Sequence, residues 1–230
     1  MAARAIGRIP FAVAVAAFGI QHVLYAASLP EPVPGPPWTP TGALAWIVAA
    51  VLLVAAGVIA GGRALRPAAG AAAAVVFFAQ AGVHVARLVD DIRKPGPWTG
   101  VAELVCLGGV AIALAGARRA GRVVYGIPLV VFGVQHIMYA DFVATLVPAW
   151  IPGQLFWAYF VAAAFFAAAA ALATGIRARL AATLLGVMFA TFVVVLHVPR
   201  AVAAHGAANE CTSLLVALAM AGGAFVVGED

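Results

Sequence analysis

Charge is what this sequence has least of. Of its 230 residues only 9% are Asp, Glu, Lys or Arg, while 66% are hydrophobic, and the mean hydropathy is +1.10. A soluble globular domain carries about 25% charge, so this composition excludes that class. There are eight acidic and 13 basic residues, a net charge of +5. The basic residues are scattered between apolar runs and form nothing like a nucleic-acid surface. Cysteine is nearly absent. Cys106 and Cys211 make no CxxC and no metal-ligand spacing, so neither is assigned a redox or disulfide role. Glycine-rich phosphate loops, nucleotide motifs and hydrolase elbows are missing, as is the alternation of a membrane β-barrel.

What the chain does have is long apolar runs. Eight segments stand out, at roughly 8–28, 42–62, 67–87, 98–116, 122–142, 153–175, 179–199 and 209–227, each close to the ~20 residues that cross a bilayer as a helix. Backbone polar groups in lipid must be satisfied within the segment, which makes these helices. The expected fold is an all-α, eight-span membrane protein. The first segment, with Arg4, Arg8 and the small residues Ala26-Ala27-Ser28, imitates a secretory signal. We read it as a retained helix, because a copy of it recurs mid-chain.

That copy is the strongest feature of the sequence. GRIPFAVAVAAFGIQHVLYA at 7–26 returns as GRVVYGIPLVVFGVQHIMYA at 121–140, with eight of 20 positions identical. Further along, Trp38-x-Pro40 pairs with Trp150-x-Pro152, Arg66 with Arg179, and His84-x-x-Arg87 with His197-x-x-Arg200. A duplication of this size predicts two related four-helix halves, residues 1–118 and 119–230. With an even number of spans in each, the halves are parallel repeats about an axis along the membrane normal. Arg4, Arg8, Arg63, Arg66, Arg118, Arg119, Arg122, Arg177 and Arg179 fall on the side of the N-terminus, and only Arg87, Arg93, Lys94 and Arg200 on the other. Nine against four predicts both termini in the cytoplasm, in a cell (inner) membrane.

Four histidines are nominated by the duplication. His22 and His84 sit toward the far ends of the first and third segments, and His136 and His197 do the same in the fifth and seventh. All four are therefore expected at one depth, in the outer part of the membrane. Gln21, Gln135, Tyr25, Tyr139, Gln80 and Glu103 accompany them, with Arg87 and Arg200 three residues beyond His84 and His197. Ionisable groups in a membrane mark functional sites by default, although a histidine near a helix end also sits comfortably in the interface, bonded to loop carbonyls. The tryptophans of the proline-rich outer loops read as interface anchors. Glu103 faces Val216 at the same register of the second half, an asymmetry that points to one specialised half.

The series FGVQHIMYADFVATLVPAWIPGQLFWAYF, HVPR and NECTS resembles the DoxX-like family of small four-helix membrane proteins, whose members carry QH-x-x-Y, VPxWxP, H-x-PR and NEWTS. Here Cys211 stands in place of the tryptophan. The match spans about 121–227. The first half keeps Gln21-His22, Trp38-x-Pro40, His84 and Trp98-Thr99, so the chain resembles two such units fused. The resemblance implies four helices per unit and a link to respiratory redox chemistry. Some relatives are subunits of thiosulfate:quinone oxidoreductase, and others associate with oxidative-stress proteins.

Three functions follow. The first is a redox-associated membrane protein, such as a quinone-linked oxidoreductase subunit. It would exchange with the membrane quinone pool and a redox protein partner, and bind quinone or quinol at the outer His/Tyr/Gln layer. His136, His197 and Tyr139 would be its catalytic groups, since histidine titrates near neutral pH. The second is a b-type haem protein, with His22 and His84, and His136 and His197, as paired axial ligands. The third is a non-enzymatic carrier or a scaffold for redox partners. The second half is expected to be the more active one. The first is expected to build its own cavity from His22, His84 and Tyr25, altered by its Gln80 and Glu103.

Overall fold

A computed structural model describes residues 3–25, 43–61 and 64–229; Trp38, Pro40, Arg63 and the side chains of Arg4 and Tyr25 lie outside the described residues. The helices are α1 (Ala3–Tyr25), α2 (Ala43–Gly61), α3 (Arg66–Asp90), α4 (Pro95–Leu114), α5 (Arg118–Met138), α6 (Ala140–Leu146), α7 (Gln154–Thr174), α8 (Ala178–Phe192), α9 (Val198–Ala203) and α10 (Ala208–Val227), with a π-helical turn at Val193–His197 joining α8 to α9. Among the described residues there is no strand. Eight helices of the described residues, counting Ala178–Ala203 as one, are long and apolar enough to cross a bilayer. Apolar side chains such as Val54, Val75, Phe160 and Leu184 project outward from them. With no water in the hydrocarbon layer to satisfy loose backbone, this is an all-α, multi-pass membrane protein.

Two segments end differently from their sequence outline. The fifth was expected to run to about residue 142, but α5 stops at Met138. Tyr139 leaves helical geometry (φ −118, ψ 33), and the short α6 follows. The seventh continues to Ala203 instead of stopping near residue 199. Pro199 lies inside it, lacking an N–H and pressing its ring toward the carbonyl four residues back. The wider π turn just before it accommodates both defects.

The spans form a ring. α1, α2, α3, α4, α5, α7, α8 and α10 each pack on the next, α10 closes the ring on α1, and α4 and α10 touch across its middle. The halves meet at two seams, α4 on α5 and α10 on α1, each as extensive as the seams inside a half. Glycine makes both seams. A Cβ placed on Gly7 would sit 2.6 Å from the Gly222 carbonyl oxygen, and one on Gly222 would sit 2.6 Å from that of Gly7. At the other seam a Cβ on Gly109 would lie 2.8 Å from the Gly121 carbonyl oxygen. Lipid gives helices no hydrophobic reason to associate, so such backbone approach supplies the packing. At the centre the buried Tyr125 hydroxyl donates to the Met220 carbonyl at 2.8 Å, and the Cys106 thiol donates to the Tyr125 carbonyl at 3.3 Å. These bonds tie α4, α5 and α10 together.

The arginine-rich ends of the helices lie at one face, as the charge asymmetry requires. Arg8, Arg66 and Arg118 gather with Glu229 around a recess, and Arg122 donates from Nε to the Val227 carbonyl at 3.0 Å. The histidines belong toward the other face, because α1, α3, α5 and the Ala178–Ala203 span all start at the arginine face.

Candidate functional site

A cavity of about 760 Å³ opens in the second half. α5 supplies Phe132, Gln135 and His136, which helical spacing puts on one face. α4 crosses from the first half and adds Pro95, Thr99 and Glu103, one per turn along a single stripe. α7 gives Trp157, Val161 and Phe165, and α10 gives Ser213, Val216 and Met220. Met188, Phe189, Val195 and His197 come from α8 and the π turn; α6 with its flanks adds Tyr139, Phe142, Leu146 and Pro148. The wall is mostly apolar, with few polar groups, the usual character of a small-molecule site. Among the described residues its wall has no Lys and no Arg.

The polar groups are held in defined states. His136 Nδ1 lies 2.8 Å from the Phe132 carbonyl oxygen. A carbonyl only accepts, so Nδ1 carries the proton and the neutral ring presents a bare Nε2. Phe165 packs against this imidazole nearly edge-on, ring centroids 5.2 Å apart, fixing its plane. Ser213 donates to the Asn209 carbonyl (3.0 Å) and Thr191 to the Val187 carbonyl (2.9 Å). Thr99 donates to the Gln135 side-chain oxygen and to the Pro95 carbonyl, both at 3.1 Å. Trp157 donates from its indole to the Pro152 carbonyl at 3.1 Å. Glu103 Oε2 and His197 Nδ1 are buried without a hydrogen-bond partner. In lipid such groups are expensive unless function retains them.

The first half is built otherwise. His22 repeats the His136 bond, with Nδ1 donating to the Phe18 carbonyl at 2.8 Å, but its Nε2 accepts from Gln80 Nε2 at 3.1 Å. Gln21, His22, Gln80 and His84 are all buried. The His84 ring lies directly on the backbone of Gly100, where a Cβ would come within 2.6 Å of Nδ1. At the register of Gly100 the second half has Ser213, and at that of Gln80 it has Val193. His22 and His84 are thus packed into protein, while the side chain of Tyr25, the third member of the cavity expected in this half, lies outside the described residues.

One expected grouping is corrected. Glu103 was placed with the first half's histidines, whereas the cavity it lines is that of His136 and His197. The reason is the seam: the stripe of α4 carrying Thr99 and Glu103 turns toward α5 of the other half. The glutamines show the same exchange. Gln21 donates to Thr212 at 2.9 Å, and Gln135 accepts from Thr99 at 3.1 Å, so each bond joins one half to the other. Arg200 is not in the cavity wall; Glu210 holds it at 3.0 and 2.8 Å, bridging α9 to α10. Arg87 lies in the last turn of α3 and is also outside that wall. Sequence reading missed Trp157, Phe165 and Ser213 as cavity residues. Trp157, within the FWAYF end of the long quoted series, and Ser213, within NECTS, carried a signal; Phe165 carried none.

Among the described residues no cluster of three or more His, Cys, Asp or Glu side chains has metal-ligand geometry. Fold and site together define a polytopic helical membrane protein with an apolar cavity edged by histidine, tyrosine and a carboxyl group. No family model matches the chain, and neither does any curated protein or solved structure.

Proposed function

We propose that this chain is a tandem DoxX-like protein of the cell (inner) membrane, a redox-associated subunit that binds a quinone or quinol in its second-half cavity. The observation that carries the reading is the cavity itself. Its volume of about 760 Å³ and apolar wall suit an aromatic headgroup with part of an isoprenoid tail, and its few polar groups suit two ring oxygens. A bound quinone would supply two-electron, two-proton chemistry. His136, His197 and Tyr139 would hold its oxygens and exchange protons, with Glu103 as a further carboxyl group in the same wall. The membrane quinone pool and a redox protein are the partners this implies.

The tandem reading, with halves at 1–118 and 119–230 related by a pseudo-two-fold axis, rests on paired features. Gly7–Gly222 answers Gly121–Gly109, Gln21–Thr212 answers Gln135–Thr99, and His22–Phe18 answers His136–Phe132. Cytoplasmic termini follow from the nine-to-four asymmetry of basic residues. Single cysteines near Arg118 and Arg177 should resist outside reagents, and one at Ala204 should react; the reverse would invert the topology.

The haem reading keeps one supporting fact, that His136 and His197 face the same cavity. Against it, the wall offers no cation to a porphyrin's propionates, and His22 already has both ring nitrogens in hydrogen bonds. The purified protein should therefore show no Soret band.

Trp157 provides the test. Titrating the protein in lipid nanodiscs with decylubiquinone should quench a saturable part of the tryptophan emission, and Trp157→Phe should remove that part while leaving the rest. Quenching that never saturates, or that survives in Trp157→Phe, would dismiss a quinone from this cavity and leave the scaffold reading.

A further inference from the structure

The duplicated histidine shows what its partner lacks. In both halves the ring is fixed by Nδ1 donating to the carbonyl four residues back, Phe18 for His22 and Phe132 for His136. In its neutral form each ring is therefore an acceptor at Nε2. In the first half Gln80 donates to that nitrogen at 3.1 Å. In the second half the residue at the register of Gln80 is Val193, which cannot donate, and among the described residues no donor reaches His136 Nε2. This nitrogen instead belongs to a residue of the cavity wall.

The neighbouring hydroxyls do not compensate. Thr99, Thr191 and Ser213 each direct their proton to a backbone or amide oxygen, so toward the cavity they present lone pairs only. The Glu103 carboxyl, with Oε2 lacking any partner, can accept, and in its protonated form can also donate. Tyr139 and His197 can take either role. The Gln135 amide gives one N–H to the Pro95 carbonyl and has a second, and among the described residues none of these groups meets His136 Nε2.

We infer that the cavity selects a ligand that donates hydrogen bonds, and so prefers the hydroquinone to the quinone. A ligand O–H at His136 Nε2 would take the place that Gln80 fills for His22. A quinol hydroxyl both donates and accepts, and therefore satisfies His136, Glu103, Tyr139 and His197 alike. A quinone oxygen only accepts and leaves His136 Nε2 desolvated and unpaired. This rests on the quinone reading above and adds the redox state that is bound.

The test is anaerobic calorimetry of the full chain in nanodiscs, comparing decylubiquinol with decylubiquinone. One unpaired acceptor predicts that the quinol binds about tenfold more tightly. His136→Ala should bring the two affinities together by weakening the quinol. His136→Gln, which restores an N–H donor, should shift the preference toward the quinone. Equal or tighter binding of the quinone by the unaltered protein would overturn the inference, as would a quinol preference untouched in both variants. Binding of neither ligand would overturn the quinone reading itself, and this inference with it.

Discussion

The two halves carry the same histidine in the same local bond and put it to opposite uses. His22 is enclosed, its second nitrogen satisfied by Gln80, with His84 buried nearby against Gly100. His136 stands in a cavity wall with its second nitrogen turned to no protein donor. The difference lies in the neighbours: Gln80 against Val193, Gly100 against Ser213, and a regular α3 against a span widened by a π turn. One copy is enclosed by protein, and its twin borders a cavity. A buried polar group that is fully paired rigidifies its surroundings, while an unpaired one creates a demand that something else must meet.

The comparison breaks most readily at the glycine seams. Gly7→Leu and Gly121→Leu should each cost about 3 kcal/mol or more, because the added side chain meets backbone and not a movable neighbour. The folded peak in size-exclusion chromatography should disappear in both. Loss in one and tolerance in the other would show that the seams are not equivalent. Gly82→Ala, where a Cβ meets nothing within 4 Å, is the control and should behave as the unaltered protein.

A smaller effect should separate the two histidine environments. Gln80→Leu removes the donor to His22 from a fully buried position and should lower stability by about 1–3 kcal/mol. His136→Leu, in a cavity wall with only its own helix as partner, should change stability by less than about 1 kcal/mol. Thermal unfolding of both variants in one detergent checks this. Equal losses would mean that the second-half histidine is as structural as the first.

Smaller again are the cross-half hydroxyls. Thr212 is fully buried and accepts from Gln21, so Thr212→Val should cost about 1–2 kcal/mol. Thr99→Val should cost about half as much, because the released Gln135 borders the cavity. The smallest shift belongs to Arg200→Ala, about 0–1 kcal/mol, since the Arg200–Glu210 pair is 43% and 23% exposed. A ranking that places Arg200 above Thr212 would show that the α9–α10 bridge, and not the seam between halves, holds this end together.

Sequence alone determined the spans, because a bilayer of fixed thickness converts ~20 apolar residues into one helix regardless of what surrounds it. The recurrence of His22 at His136 and of His84 at His197 was equally legible, since matching residues at matching registers need no coordinates. The end of α5 was less so, because Tyr139 leaves the helix inside an apolar run that signals no stop. Only the tertiary structure decided which histidines are enclosed and to which half Glu103 belongs. Both depend on which face of α4 meets which neighbour, and that is settled by glycines that let backbones approach across the seams. A helix's own sequence says that it will be buried, but not which helix it will be buried against.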